Sequence, residues 1–247
     1  MRDWRVSELA KLPNVEIFLD SSLDAEQILE FGADRVALAT GASWRRDGTG
    51  RWHEEPIDGW ERAHVLTPDD VMSGAMPPGP VLIFDDDHYF MGGVLAEKFR
   101  REGLEVTLVT TAGQVSAWTR HTDEISRIQA RMLELGVQLE LGMALDSIGA
   151  EESLLACAYT GRTREVAAAS VVMVTSRAPS DALYRELEER IEIARIGDCL
   201  APATIAHVVY AGHRYAREMD ADSGDEVPFR REHALVDSDA DFAGGGD

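Results

Sequence analysis

Cysteine, lysine and long apolar runs are all scarce in this chain of 247 residues. Its two cysteines, Cys157 and Cys199, are too few for a four-thiolate iron–sulfur cluster or a Cys-based zinc site. No run approaches the ~18 consecutive apolar residues of a spanning helix. The N-terminus, MRDWRVSELA, lacks the apolar core of a signal peptide, so a cytoplasmic location is expected. Lys11 and Lys98 are the only lysines, so arginine supplies nearly all the positive charge. Lys+Arg of 24 against Asp+Glu of 45 gives a net charge of −21. A field of that sign repels phosphate backbones and anionic lipid, which argues against nucleic acid and membrane as partners.

What is present suits one large domain or two small ones: 45% of the residues are hydrophobic and 28% charged. The chain opens with an α/β rhythm: a helix over 6–12, an alternating strand VEIFLD at 15–20, a helix over 23–31, and a strand RVALAT at 35–40 closed by Gly41. From Ser43 to the Pro77-Pro78 pair the spacing shows little periodicity, and a long surface connection is expected. A second unit then begins with the buried-type strand PVLIFDDD, the amphipathic helix MGGVLAEKFRREG and the strand LEVTLVTT. Strand, helix and parallel strand within about thirty residues form the opening of a dinucleotide-type fold. A helix over 124–135 and a strand VQLEL follow, then short strands LLACAY and VVMVTS, with TGRT as a hairpin turn between LLACAY and REVAAA. A helix over 182–190, the strand IEIARIGD and a helix over 202–219 complete the pattern. From Asp220 onward nine acids stand against two arginines, and the end of the chain, 233–247, reads as an acidic disordered tail.

The most informative feature is the loop Asp85, Asp86, Asp87, His88, which stands where a nucleotide-binding unit places its glycine-rich phosphate turn. Three carboxylates there would meet a pyrophosphate as like charge, and glycine appears only further along, at Gly92 and Gly93. Thr110 stands at the next strand end, where an acid would hold a ribose hydroxyl. The second unit therefore reads as a nucleotide-binding shape without a nucleotide. One of the carboxylates could instead accept the free N–H groups at the start of the following helix. The rival reading is a hard-metal site built on the same four side chains.

Four elements of the chain resemble the long amine dehydrogenases of the trimethylamine, dimethylamine and histamine type, relatives of the NADH:flavin oxidoreductases and 2,4-dienoyl-CoA reductases. The acidic-loop element D-x-x-F/Y-M-x-x-x-L-A-E is matched by Asp87, Phe90, Met91, Leu95, Ala96 and Glu97, and V-T-S/G-R by residues 174–177. The element I-G-D-x-x-A-P-x-x-I-A runs from Ile196 to Ala206, and G-H-R-x-A-R-E covers 212–218. The resemblance extends over nearly the whole chain and implies the C-terminal third of such an enzyme. Family members carry an N-terminal barrel with FMN and a 4Fe-4S cluster, then a first dinucleotide unit with ADP or FAD. Against that pattern the resemblance implies that this chain starts after the first glycine-rich turn, as a subunit of a split enzyme or as a fragment.

The resemblance thus implies a three-layer α/β, Rossmann-like architecture with the first flavin/ADP-binding βαβ unit missing. Residues 1–78 and 191–232 would form a partial FAD/ADP-binding-type domain, and 79–190 an NAD(P)-binding-like domain. FAD or ADP would be shared with a partner chain, while FMN and the 4Fe-4S cluster would lie in that partner, a barrel-bearing flavoprotein subunit. Electrons would pass to an electron-transfer flavoprotein, and the substrate would be an N-methylated amine or betaine. The residues carried over as cofactor-binding are Thr40, Gly41, Gly197, Asp198, Ala201 and Ile205, with no catalytic residue and no metal ligand in this chain. From the residues alone, an Asp at a strand end before a helix is more often a simple cap, and only the resemblance favours a cofactor-facing role for Asp198; a non-catalytic assembly module with a dinucleotide-binding fold stands as the alternative function. His207 and His213 lie six apart, which is not the i, i+4 spacing of a helical metal pair, and are expected to be packing or surface residues. Cys199 is expected to be an inert buried thiol, and Trp118 with His121 a partly buried aromatic beside a cap.

Overall fold

A computed structural model describes residues 2–220. The acidic tail at 233–247, and the part of the first domain assigned to 221–232, lie outside the described residues. The elements in chain order are α1 (Arg2–Leu9), α2 (Ala25–Phe31), β1 (Val36–Leu38), β2 (Ala42–Trp44), β3 (Val65–Leu66), α3 (Pro68–Met72), β4 (Val81–Asp85), α4 (Met91–Arg101), β5 (Val106–Thr110) and α5 (Ile125–Glu134). They continue with β6 (Gln138–Leu141), β7 (Met143–Ile148), β8 (Glu152–Cys157), β9 (Thr163–Ala167), β10 (Ser170–Val174), β11 (Arg177–Pro179), α6 (Ala182–Leu187), β12 (Ile193–Arg195) and α7 (Ile205–Glu218).

The centre is a five-stranded sheet in the order β3–β10–β4–β5–β6, parallel throughout. Every residue of β4, β5 and β10 is buried, because the sheet is covered on both faces. Val81 and Ile83 of β4 pack with Leu95 and Phe99 of α4 and Met132 of α5. Leu82 and Phe84, pointing the other way, pack with Leu145 and Leu155 of the antiparallel meander β7–β8–β9. Period-two alternation with apolar residues on both faces gives the uninterrupted run VLIF. The result is three layers: helices, parallel sheet, meander. Two small sheets stand apart, a parallel pair β1–β12 and an antiparallel pair β2–β11. Among the described residues no helix is long and apolar enough to cross a membrane.

The elements around the acidic loop follow the spacing closely, and three readings are corrected. The alternating VEIFLD forms no strand: Ile17, Phe18 and Leu19 are 52%, 65% and 82% exposed. A strand needs a neighbour to take its hydrogen bonds, and among the described residues 15–20 has none. The connection from 43 to 78 is not structureless, for it contains β2, the edge strand β3 and the helix α3. Five helical residues are too few to show a period, but the stop and start chemistry was legible: Pro68 stands at the first turn, and Thr67 and Asp70 form a reciprocal capping box. The connection is pinned to the meander at Gly59, where an added β-carbon would lie 2.2 Å from the Ile148 carbonyl oxygen, and where φ is +84°. The structure also adds a strand that the spacing does not predict, β7, whose alternation is broken by a bulge between Leu145 and Ser147.

Candidate functional site

The acidic loop follows β4 at the carboxyl edge of the parallel sheet, beside the point where β4 has β5 on one side and β10 on the other. Crevices at such switch points are where open α/β sheets bind ligands. Here the crevice is filled from within. Asp85 and Asp86 are both fully buried. Asp85 Oδ1 accepts the His88 N–H at 2.9 Å, and Asp85 Oδ2 has no hydrogen-bond partner in the protein. The helix α4 packs directly on that carboxyl, since a β-carbon at Gly92 would lie 2.6 Å from Asp85 Oδ2. Gly92 thus serves a close approach, but to a carboxyl and not to a phosphate.

Asp86 turns the other way. Its Oδ2 accepts the N–H groups of Arg51 at 2.5 Å and Trp52 at 2.9 Å, which fastens the long connection to the end of β4. Its Oδ1 faces His88 Nε2 at 3.4 Å, and the same ring nitrogen lies 3.3 Å from Thr111 Oγ1. The expected cap on α4 is therefore absent: Phe90 occupies the N-cap with no side-chain hydrogen bond. The acids are drawn instead to the N–H groups of the local turn and of the connection, which approach them more closely. Among the described residues no group of three or more His, Cys, Asp or Glu side chains is placed to hold a metal ion.

Burial sets the protonation of these groups. The Asp85 carboxyl is pushed up to about 7 by desolvation, aided by the neighbouring Asp87 and Asp86 and opposed by the His88 N–H and ring. Asp87 is also raised, again by desolvation, against the pull of the Arg177 and Arg51 guanidiniums and of His88. With carboxyls filling the turn, NADH and NADPH are expected to show no saturable binding to the chain by calorimetry. Micromolar affinity for either would contradict this account of the loop.

The second cluster lies where the small sheets meet. β1 and β12 run parallel in register, Val36 with Ile193 through Leu38 with Arg195, and the Ile196 N–H donates to the Leu38 carbonyl. The segments ending in Thr40-Gly41 and in Gly197-Asp198 therefore emerge side by side. The Thr40 hydroxyl donates to the Ser180 carbonyl at 2.6 Å and lies 3.1 Å from Cys199 Sγ, which is buried. Gly41, at φ +79°, has open space where a side chain would stand, and its carbonyl accepts the Ser180 N–H. Gly197, at φ +61°, would place a β-carbon 3.0 Å from Val208 Cγ1.

Asp198 is a structural node here. Its Oδ1 accepts the Ala203 N–H at 2.8 Å and its Oδ2 takes Arg177 Nη1 at 2.9 Å, while Arg177 Nη2 donates to the Ala203 carbonyl at 3.0 Å. Arg177 also lies over the Trp44 ring, 5.6 Å from its centroid. Ala201 is exposed in the turn, and Ile205, the first residue of α7, is 70% exposed. Thr40, Gly41, Gly197 and Asp198 are thus brought together, with Ala201 and Ile205 on the surface just beyond them. Arg177 is the partner that sequence reasoning missed, although it closes the V-T-S-R element.

Between the two clusters lies a cavity of about 380 Å³, lined among others by Arg51, Asp87, Tyr89, Trp118, Thr204 and His207. Trp118, on a short 3-10 turn, is 49% exposed, and His121 meets it edge-on at 6.1 Å. His207 bonds Thr204 Oγ1 through Nδ1 at 2.8 Å, and His213 is exposed further along α7.

Residues 66–151 match the family model of the OYE-like second alpha/beta domain. The chain is 35% identical to the dimethylamine dehydrogenase of Hyphomicrobium sp. (strain x), over 94% of this chain and 36% of that protein. Among solved structures it resembles the histamine dehydrogenase of Rhizobium sp. 4-9, with 42% identity and a TM-score of 0.87 over 94% of this chain and 38% of that one. It also resembles the 6-hydroxypseudooxynicotine amine oxidase of Pseudomonas geniculata N1, with 42% identity and a TM-score of 0.83 over 85% of this chain and 32% of that one. The chain spans about a third of the length of each of these relatives. The similarity to the dimethylamine and histamine dehydrogenases, which runs along nearly the whole sequence and takes in the acidic-loop and I-G-D elements, means that the chain belongs to the trimethylamine, dimethylamine and histamine dehydrogenase family.

Proposed function

We propose that this chain is the C-terminal portion or subunit of a flavin-dependent oxidoreductase of the amine or betaine dehydrogenase type, and that it completes an adenine-nucleotide site held mainly by a partner. The observation that carries this reading is the parallel pairing of β1 with β12, which sets Thr40-Gly41 beside Gly197-Asp198 at one open edge. The open backbone at Gly41 suits the close approach of a bulky cofactor such as FAD or ADP. The residues do not suit an iron–sulfur cluster: Cys157 ends β8 and Cys199 is buried beside Thr40, so a cluster and FMN belong to another chain or segment. FMN supplies the amine-oxidising chemistry in this reading. The present residues contribute the edge of the nucleotide site and the docking surface for a barrel-bearing flavoprotein, with an electron-transfer flavoprotein as acceptor.

The Rossmann-like reading of the central sheet, with a first unit contributed from elsewhere, accounts for two further features. A parallel pair of three residues per strand is not self-sufficient, because parallel sheets are normally covered and extended on both sides. Apolar side chains of the N-terminal segment are left exposed, Trp4, Val6, Ile17, Phe18 and Leu19 each above 50%, and α7 buries none of its residues. A partner seated there would bury an interface of obligate size, roughly 2,000 Å² or more.

One observation favours the alternative, a non-catalytic assembly module: both Asp198 oxygens are already engaged by Arg177 and Ala203. The test separates the two. The complex with the barrel-bearing chain is purified and its bound nucleotide quantified after denaturation. Asp198→Asn, which keeps an acceptor for the Ala203 N–H, should lower nucleotide retention by roughly tenfold or more if the carboxylate charge meets the cofactor. A complex that holds no nucleotide, or retention unchanged in the variant, would support the assembly module.

A further inference from the structure

Inside the cavity of about 380 Å³ two opposite charges form no close ion pair among the described residues. Arg177 is closed off by Asp198, but Arg51 has no ion pair among the described residues and rests over the Trp118 ring at 4.9 Å from its centroid. Asp87, half-buried, has no cation within ion-pair distance among the described residues; it accepts the Tyr89 N–H and lies in the field of the Arg177 and Arg51 guanidiniums and of His88. Two guanidiniums, Arg51 and Arg177, and one carboxylate, Asp87, line the cavity, and because Asp198 offsets Arg177 the remaining pair leaves little net charge, so simple cations and simple anions are both weakly attracted. Separated charges of both signs are complementary to a molecule that carries both. The rest of the lining is suited to an apolar body, since Tyr89 and Trp118 offer aromatic walls. At the mouth, the first turn of α7 adds backbone donors: its N-cap Thr204 spends its hydroxyl on His207 and gives no side-chain cap. The volume lies at the lower end for small-molecule sites and suits roughly a dozen heavy atoms.

We propose that this cavity binds a small zwitterion of the amino-acid type bearing an apolar or aromatic group, its ammonium against Asp87, its carboxylate against Arg51, and its apolar part against Tyr89 and Trp118. The cavity adjoins the nucleotide edge: Asp198 does not line it, but its partners Arg177 and Ala203 do. It also explains why Arg51 is placed with care. The Arg51 N–H is fastened to buried Asp86, which fixes where its side chain starts.

Three molecules with one ring and different charges test the idea by calorimetry on the full chain: L-phenylalanine, 3-phenylpropionate and 2-phenylethylamine. Phenylalanine should bind saturably, with each singly charged analogue at least about tenfold weaker, as expected for loss of one charge-assisted contact. Asp87→Asn should erase the discrimination against 3-phenylpropionate and leave that against 2-phenylethylamine. Arg51→Met should do the reverse, and Trp118→Leu should weaken all three in parallel. Equal affinities for the three molecules, no saturable binding of phenylalanine, or discrimination that neither charge variant alters would overturn the proposal. The three molecules are compared on the chain with no nucleotide added, so their discrimination is read apart from nucleotide retention in the complex, and the two readings are tested by different measurements.

Discussion

Phe84→Ala should lower the stability of the chain by about 3–5 kcal/mol. Phe84 is fully buried in β4 between the parallel sheet and the meander, where it joins Leu145, Leu155 and Val109 and meets the His53 ring edge-on at 5.8 Å. Truncation removes most of a large side chain from a layer that is clamped by strands on both sides and so cannot close over the gap. Phe84→Leu, which keeps most of the volume, should cost clearly less. Denaturant unfolding monitored by circular dichroism gives both values, and a loss below about 1 kcal/mol for Phe84→Ala would show that the meander does not seal this face. The effect reaches the site through the chain itself, because Phe84 immediately precedes the buried Asp85.

Asp85 should make the folded chain less stable as pH rises from about 4 to about 7. The sign follows from linkage. The folded carboxyl is raised to about 7 by burial, whereas the same group in the unfolded chain titrates near its ordinary value of 3.8. Between those values the folded state holds a proton that the unfolded state has released, so raising the pH favours unfolding. Above about 7 both states are ionised and the penalty is constant; below about 4 both are protonated and it vanishes. The difference in stability between wild type and Asp85→Asn isolates this group from the other acids. It should grow in favour of the variant across that window, reaching on the order of a few kcal/mol. The asparagine oxygen can still accept the His88 N–H, so the turn is preserved. Parallel stability–pH curves for the two proteins would mean that Asp85 is solvated or paired in the folded state, and the account of the loop would fail with it.

The part of the fold legible in the sequence is the part whose elements are long and buried on two sides. β4, α4 and β5 announce themselves because VLIF and VTLV are apolar at every position and α4 repeats at helical spacing. β3 and β11, of two and three residues, carry no pattern and exist only through the strands they pair with, β10 and β2. VEIFLD shows the converse case: the pattern of a strand is present, and without a neighbour among the described residues no strand forms. In the site, the kinship of the Thr40-Gly41 and Gly197-Asp198 segments was legible as motif. The bond between Arg177 and Asp198, 21 positions apart, was not.

The sequence by itself determined the net charge of −21, the want of cysteines for a cluster, and the presence of three acids in a turn that a dinucleotide would need for glycine. These are properties of composition and order, independent of how the chain packs. Only the tertiary structure decided what each acid does: Asp85 lies under Gly92 with a raised carboxyl, Asp86 fastens Arg51 and Trp52, and Asp87 faces the cavity. Three identical side chains in a row separate in role because a strand end turns successive residues to different surroundings, and because desolvation and distant backbone donors, which set hydrogen bonding and ionisation, are fixed only by packing.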